Sequence, residues 1–462
     1  MAIHDAIARG NTPHSSTADS ELVGGLTRKF EQQLSEMVEE LGAEEFTPAR
    51  FQRVLGSLGS VLAGIGREAI AQIVEDRDLA RASITVAGQR LRYRGRSERE
   101  WLTAFGKVTV LRRRYRGEGP GAASATPLDE LCGMQGRYMT PDIEEMAALS
   151  AAMLTANEVE QLLAKVLPQG PSATSIQNAV CRIGAEIEAR RNEIEDAIDD
   201  DRPLSGKGDL LVTSWDGVMA PMREESGVAW REASVGTISV YRQSNNGPDK
   251  VDTRFLARMP ESGMKSLVAN VADQVARAKK SRSFREVVAI CDGKDTIWSA
   301  AAPYPELTDA TWILDFYHAS ENLMKAAVAI FGADNPEAAS WHEKICAKLQ
   351  LDEHGVENAI RSMRRYRRWL PDDCAKEKRI VKNAINYLRL HRDRMRYAEF
   401  LARGLPIGSG PVESAAKNIV QARLKRSGMR WSRDGGQHVL DLRAYLKSKR
   451  WEPMWNTILK AA

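Results

Sequence analysis

The chain has 462 residues, 43% hydrophobic and 28% charged, with a formal net charge of +4, which excludes a largely disordered polymer and leaves room for about three domains at roughly 150 residues each. No run approaches the ~20 consecutive apolar residues of a membrane span, and the opening "MAIHDAIARGNTPHSST" lacks an apolar signal core. The expected setting is therefore intracellular, without a membrane partner.

The first ~20 residues are polar and patternless and read as a loose arm. Over residues 21–79, "LTRKFEQQLSEMVEEL" and "FQRVLGSLGSVLAGIGREAIAQIV" place apolar residues at three- and four-residue spacing, which predicts amphipathic helices packed on the rest of the chain or on a second copy. Residues 82–116, with "ITVAGQRLRYRG" and "FGKVTVLRRRY", alternate and are rich in β-branched and aromatic residues, predicting a strand or hairpin module whose polar alternates are largely arginine. A Gly/Ala/Ser/Pro linker occupies 117–127. "TANEVEQLLAKVLPQGPSATSIQNAVCRIGAEIEARR" predicts a helix ending near Val166, a Pro-Gln-Gly-Pro turn, and a second helix capped by Ser172 or Thr174. Such a pair is either a helix-turn-helix DNA reader or plain helical packing.

From residue 208 the pattern changes. "DLLVTSWDGV" is an apolar run ending in an acid, "GVAWREASVGTISVYR" alternates, and "DTRFLARM" reads as a third strand. "GMKSLVANVADQVARAKK" has helical spacing, "REVVAICDG" is a short buried-type strand ending in an acid, "DTIWSAAAPY" a short helix and "TWILDFYH" another strand. Three strands, helix, strand, helix, strand is the order of a meander followed by helical crossovers, as in the ribonuclease H-like fold. Residues 319–403 read as helical throughout, residues 404–410 break the pattern, and a helix carrying Glu413 follows.

Five scattered cysteines (132, 181, 291, 346 and 374) without a CxxC pair argue against both a disulfide framework and a zinc ribbon. Positive charge is clustered in "VLRRRYRG", "RSMRRYRRWL" and "RLKRSGMRWSR", and acid in "EIEDAIDDD". Any one cluster is explained by a solvated helix face; together they fit basic surfaces that follow a phosphate backbone.

Asp216 and Asp292 each end an apolar stretch and precede a glycine. A carboxylate at the end of a buried strand is costly unless paired, solvated or bound to a cation, although Asp-Gly is also an everyday turn signal. Glu413, with Gly410 as cap and Pro411 at the first helical position, falls at the third position, where an acid suits the helix dipole. If the three carboxylates converge, two unit charges ~4 Å apart repel by about 4 kcal/mol at an effective dielectric near 20, so cations are required. Magnesium or manganese, which prefer oxygen ligands, would supply them, and two such ions support phosphodiester transfer. Asp315 and His318, in "DFYH", either hydrogen-bond each other at a strand-to-helix junction or support the acidic site. Asp295 is expected to cap the following helix.

"SWDGVMAPMR", "CDGKDTIW", "ILDFYHASENL" and "GSGPVESAAKNIVQARLKRSGMRW" together resemble bacterial insertion-sequence transposases of the DDE class, the ISKra group in particular, over residues 208–455. The layout is also similar to that of the Mutator and hAT groups. The resemblance implies a multidomain α+β protein. Its ribonuclease H-like α/β core, with an all-helical insertion, would follow helical and β-strand DNA-binding modules. With the patterns ahead of it, the expected boundaries are 1–80 (helical, a candidate oligomerisation region), 81–130 (strand module), 131–205 (helical, candidate helix-turn-helix), 206–318 (core), 319–405 (insertion) and 406–462 (the part of the core with the glutamate).

Position by position, Asp216, Asp292 and Glu413 become the catalytic, metal-holding triad for two magnesium or manganese ions. Asp315 and His318 fall on a supporting motif, and a rival assignment makes Asp315 the second acid. Lys417, Asn418, Arg423, Lys425 and Arg430 become DNA contacts, and Trp431 either stacks on a base or packs in the core. The implied partners are double-stranded DNA, both transposon ends and target, and further copies of the chain in a dimer or larger complex. The implied location is the bacterial cytoplasm, at the nucleoid. The cysteine pairs that many such proteins carry ahead of the core are missing here. Two other readings stay open: a regulatory DNA-binding protein derived from a transposase, and a nuclease of the same fold that cuts without joining.

Overall fold

The computed structural model describes residues 16–42, 45–204, 207–225, 227–245 and 247–460, so most of the expected N-terminal arm lies outside the described residues. The protein is mixed α+β with two sheets, and it divides into two compact units: residues 1–186 with 455–462, and residues 187–454.

In the first unit, α1 (Ser16–Leu41) and α2 (Pro48–Glu75) realise the two amphipathic patterns. Helix α2 starts where the Thr47 side chain accepts the Arg50 N–H, with proline in the first turn. The four strands β1 (Ser83–Val86), β2 (Gln89–Thr103), β3 (Gly106–Arg116) and β4 (Ser124–Ala125) form an antiparallel sheet in sequential order. Ile70, Ala71 and Val74 of α2 pack against Trp101, Val108 and Val110 of the sheet. Four helices follow: α3 (Pro127–Leu131), α4 (Pro141–Ala151), α5 (Ala156–Val166) and α6 (Ala173–Ala189). Thr155 and Glu158 form a reciprocal capping box on α5, and the Ser175 N–H donates to Ser172 Oγ, so Ser172 rather than Thr174 caps α6. Helix α2 is the one helix among the described residues long and apolar enough, by length and composition, to cross a membrane.

The second unit opens with α7 (Arg191–Asp201), then β5 (Leu210–Glu224), β6 (Gly227–Ser244), β7 (Gly247–Arg258), α8 (Lys265–Ser281), β8 (Glu286–Cys291), α9 (Asp295–Ala301), α10 (Pro305–Thr308) and β9 (Thr311–Leu314). The sheet order is β7-β6-β5-β8-β9, with β5, β6 and β7 antiparallel and β8 and β9 parallel to β5. This is the expected meander followed by helical crossovers. Helices α11 (Phe316–Phe331), α12 (Pro336–Leu351), α13 (Gly355–Trp369), α14 (Ala375–Leu390) and α15 (Tyr397–Ala402) fill the stretch expected to be helical. Then come α16 (Gly410–Ala415), a π-helical segment Ala416–Gln421, α17 (Ala422–Leu424) and α18 (Arg433–Lys447); the last helix, α19 (Trp451–Lys460), begins in this unit, and its residues from 455 on are counted with the first.

One strand differs from expectation: β5 does not end at Asp216 but runs on to Glu224, paired with β6 throughout. What ends near Asp216 is the pairing with β8, whose last registered pair is Thr213 with Ala289. The two-residue alternation of β5 then sorts its side chains. Leu211 and Trp215 pack with α8 on one face. On the other face, Leu210 and Val212 lie under α11–α15, whereas Val218, Ala220 and Met222 lie under Val412, Ala415, Ile419 and Leu440. Asp216 has the parity of this second face and sits between its two helical covers.

A buried polar network closes the unit from below. Glu195 of α7, 3% exposed, accepts hydrogen bonds from Tyr445 Oη (2.9 Å), Arg450 Nη1 (2.7 Å) and Gln274 Nε2 (2.9 Å). It thereby ties α7 to α8 and to the end of α18.

Candidate functional site

The parallel strands set the level of the acids. Continuing the Thr213–Ala289 register by three residues places Asp216 beside Asp292, and continuing the Cys291–Leu314 register by one places Asp292 beside Asp315. Three aspartates from three adjacent strands therefore stand in one row at the carboxyl end of the parallel strands, where open α/β sheets hold ligands.

Their environments differ. Asp315 is fully buried and caps α11: its Oδ1 accepts the Tyr317 N–H (3.3 Å) and the Ser409 N–H (3.0 Å). The second bond reaches across to the turn that begins α16, so Asp315 positions the element carrying Glu413. Asp315 Oδ2 is buried without a hydrogen bond. Asp216 and Asp292 retain 27% and 16% side-chain exposure and turn one carboxylate oxygen each to the following glycine N–H, at 2.7 and 2.5 Å. Each of the three aspartates keeps one oxygen free of the backbone; what separates Asp216 and Asp292 from Asp315 is that theirs belongs to a side chain open to solvent, whereas Asp315 is sealed.

Gly217 lies within β5 and Gly293 in the bend after β8, and both have close neighbours. A Cβ at Gly217 would come within 2.1 Å of Glu232 Oε1, and one at Gly293 within 2.6 Å of Tyr387 Oη and 2.8 Å of His391 Nε2. His318 lies beside the row, Nδ1 3.8 Å from Asp292 Oδ1 and Nε2 3.7 Å from Asp315 Oδ2. Of the two readings of this pair, the direct Asp315–His318 hydrogen bond is not made, since 3.7 Å is too long for one. Lys294 Nζ stands 3.9 Å from Asp216 Oδ1 and 3.2 Å from Glu232 Oε1.

Burial pushes the Asp216 carboxyl above the ordinary aspartate value, and the Asp292 charge adds to this; the Gly217 N–H, Lys294 and His318 only partly offset it. For Lys294, burial works against the ammonium form, yet Asp216 and Glu232 outweigh it and raise its pKa. The row is thus a site of excess negative charge that already draws a side-chain cation.

Glu413 is exposed on α16. Ser409 is the N-cap and Pro411 the second helical residue, so Glu413 is the fourth rather than the third, because the turn held by Asp315 starts the helix one residue early. Glu413 makes no ion pair or hydrogen bond with Asp216 or Asp292 among the described residues. Among the described residues, no group of three His, Cys, Asp or Glu side chains is arranged so that it could hold a metal ion. The structure lines up Asp216, Asp292 and Asp315 at neighbouring strand ends with His318 beside the last two, and holds Glu413 on the next element. The two open aspartates themselves offer carboxylate oxygens, which suit a hard divalent cation, with Lys294 Nζ and His318 Nδ1 standing 3.9 and 3.8 Å from them.

Beyond Glu413, Lys417, Asn418 and Arg430 are exposed and Lys425 half-buried, its Nζ 5.8 Å over the Trp230 ring. Arg423 departs from expectation: it is only 4% exposed and stacks on Trp431 at 4.9 Å, so it belongs to packing rather than to an open DNA surface. Trp431 packs against the Val218–Leu440 cluster and donates its Nε1–H to the Leu424 carbonyl, the core role. Asp295 is the first residue of α9, whose N-cap is Lys294, and its side chain caps nothing. Lys294 and Glu232 were missed in the sequence. Lys294, in the loop after Asp292, carries no pattern signal of its own, and Glu232 reaches the site only through the β5–β6 pairing. No protein-family model matches this chain, and no curated protein matches it.

Proposed function

We propose that this chain is a DNA transposase with a ribonuclease H-like core, which cleaves phosphodiester bonds at the ends of its element and joins the freed 3′ ends to target DNA. One observation carries the reading: Asp216 and Asp292 stand side by side at the ends of parallel strands in a β7-β6-β5-β8-β9 sheet, in a gap between helical covers. The helix with Glu413 is hydrogen-bonded to the same row through Ser409 and Asp315.

Asp216 and Asp292 would hold magnesium or manganese, with Glu413 as the third carboxylate. Two such ions, when bound, activate the attacking oxygen and stabilise the leaving one. The chain's own groups then have separate tasks. Asp315 fixes the start of α16, His318 lies between the Asp292 and Asp315 carboxylates, and Lys294 is placed to meet a phosphate oxygen once it releases Asp216. Lys417, Asn418 and Arg430, exposed beyond Glu413, hold the DNA backbone without reading sequence.

Incubation of the full chain with labelled end fragments, target DNA and magnesium tests this. Joined product is expected; cut product alone favours a nuclease, and binding without reaction a regulatory protein. Asp216→Asn and Glu413→Gln are each expected to abolish reaction while sparing DNA binding. Unchanged cleavage by either variant refutes the site.

A further inference from the structure

The helical stretch between β9 and α16 carries a feature the carboxylate row does not use. Helix α13 buries Val356, Ala359, Ile360 and Met363, and its opposite side exposes Arg361, Arg364, Arg365 and Arg368. Its neighbour α14 buries Val381, Ala384, Ile385 and Leu388 and exposes Arg379, Lys382, Asn386 and Arg389 at the same three- and four-residue spacing. Solvated helix faces ordinarily interleave acids with bases at one-turn spacing. Here each helix has a single acid, Glu357 or Glu377. Glu357 pairs with Arg392, and nearby Asp372 pairs with Lys378. None of the seven exposed cations has a carboxylate partner among the described residues.

Like charges held this close without counterions repel one another, and mobile salt ions or a polyanion must compensate them. The face also has a direction. At the carboxyl end of α14, Tyr387 and His391 close on Gly293, next to Asp292, about 12 Å along the helix from Arg379 at 1.5 Å per residue.

We propose that the outer faces of α13 and α14 form one continuous track for the phosphate backbone of duplex DNA, leading to the loop that holds Asp292. This rests on the transposase reading and adds to it the surface that holds the flanking DNA. Arginine suits the task, since its fork of donors matches phosphate oxygens and it remains charged at any working pH.

The test uses the full chain and a labelled duplex, with binding followed by fluorescence anisotropy across a salt series. The variants are Arg361→Gln/Arg365→Gln/Arg368→Gln and Arg379→Gln/Lys382→Gln/Arg389→Gln. A Lys279→Gln/Lys280→Gln pair on α8 serves as a charge control, and urea midpoints report folding. Each phosphate contact removed lowers the slope of log K against log salt by about 0.9, so each triple variant is expected to lower it by up to about 2.7. Affinity at 0.1 M salt then falls by roughly eightfold per contact, while the control pair leaves the slope in place. Arg→Lys versions of the same triples are expected to restore it, because a point charge suffices for counterion release. If wild type binds and the triples match it in slope and affinity, or the control pair lowers the slope equally, the track is overturned and the catalytic reading stands. If wild type binds no DNA at any salt, both fall.

Discussion

Asp315 offers the sharpest test of how the fold prepares the site. Substituting Asp315→Ala removes a fully buried side chain whose Oδ1 accepts two backbone N–H groups, from Tyr317 and Ser409. Losing the cap of α11 costs about 1 kcal/mol, and leaving the buried Ser409 N–H without an acceptor costs about 1–3 kcal/mol more. A destabilisation of about 2–4 kcal/mol follows, measured as a lowered urea midpoint at unchanged m-value. Asp315→Asn keeps an acceptor of the same shape and is expected to lose less than half as much. Because the Ser409 bond anchors the start of α16, the alanine variant is also expected to lose cleavage at denaturant-free conditions where it is still folded, and the asparagine variant to retain part of it. An alanine variant within about 0.5 kcal/mol of wild type would refute the anchoring role, since substitutions lacking a structural partner fall within that range.

Two further outcomes follow from the electrostatics. Lys294→Gln removes the ammonium beside Asp216 and Glu232 and is expected to tighten manganese binding severalfold in the DNA-free protein, measured by the loss of free-ion electron paramagnetic resonance signal; equal or weaker binding would show that the lysine does not compete for that charge. Burial alone would raise the Glu195 pKa, but Arg450, Tyr445, Arg254 and Gln274 together reverse this and hold it below the ordinary glutamate value. Its contribution to stability is therefore full above the unfolded value of about 4.3 and is lost as pH falls through the depressed folded value. Glu195→Gln should flatten the acid limb of melting temperature against pH, and Glu195→Ala, which leaves Arg450 buried without its partner, should cost about 3–5 kcal/mol near neutral pH. Acid limbs of identical shape in wild type and Glu195→Gln would contradict the assignment.

Local pattern alone determined much of this protein. The two helices ahead of the strand module, the succession of strands and helices from residue 208, and the caps at Thr155 and Ser172 follow from side-chain period and capping chemistry, which act within a few residues. The placement of Asp292 at the end of a buried strand was legible for the same reason. Tertiary structure decided the rest. Strand β5 outruns its neighbour β8, so Asp216 marks the end of one pairing and not of a strand, a fact set by the lengths of other elements. Arg423 looked like a surface base until the packing of Trp431 enclosed it, and Glu232 meets Lys294 only because two strands pair in one register. Asp315, which the sequence offers either as a partner of His318 or as a support of the acidic site, accepts the N–H of Tyr317 and that of a turn ninety-four residues later. Sequence reports what each segment prefers; which carboxylate stays free to hold a cation depends on the donors that distant segments bring to it.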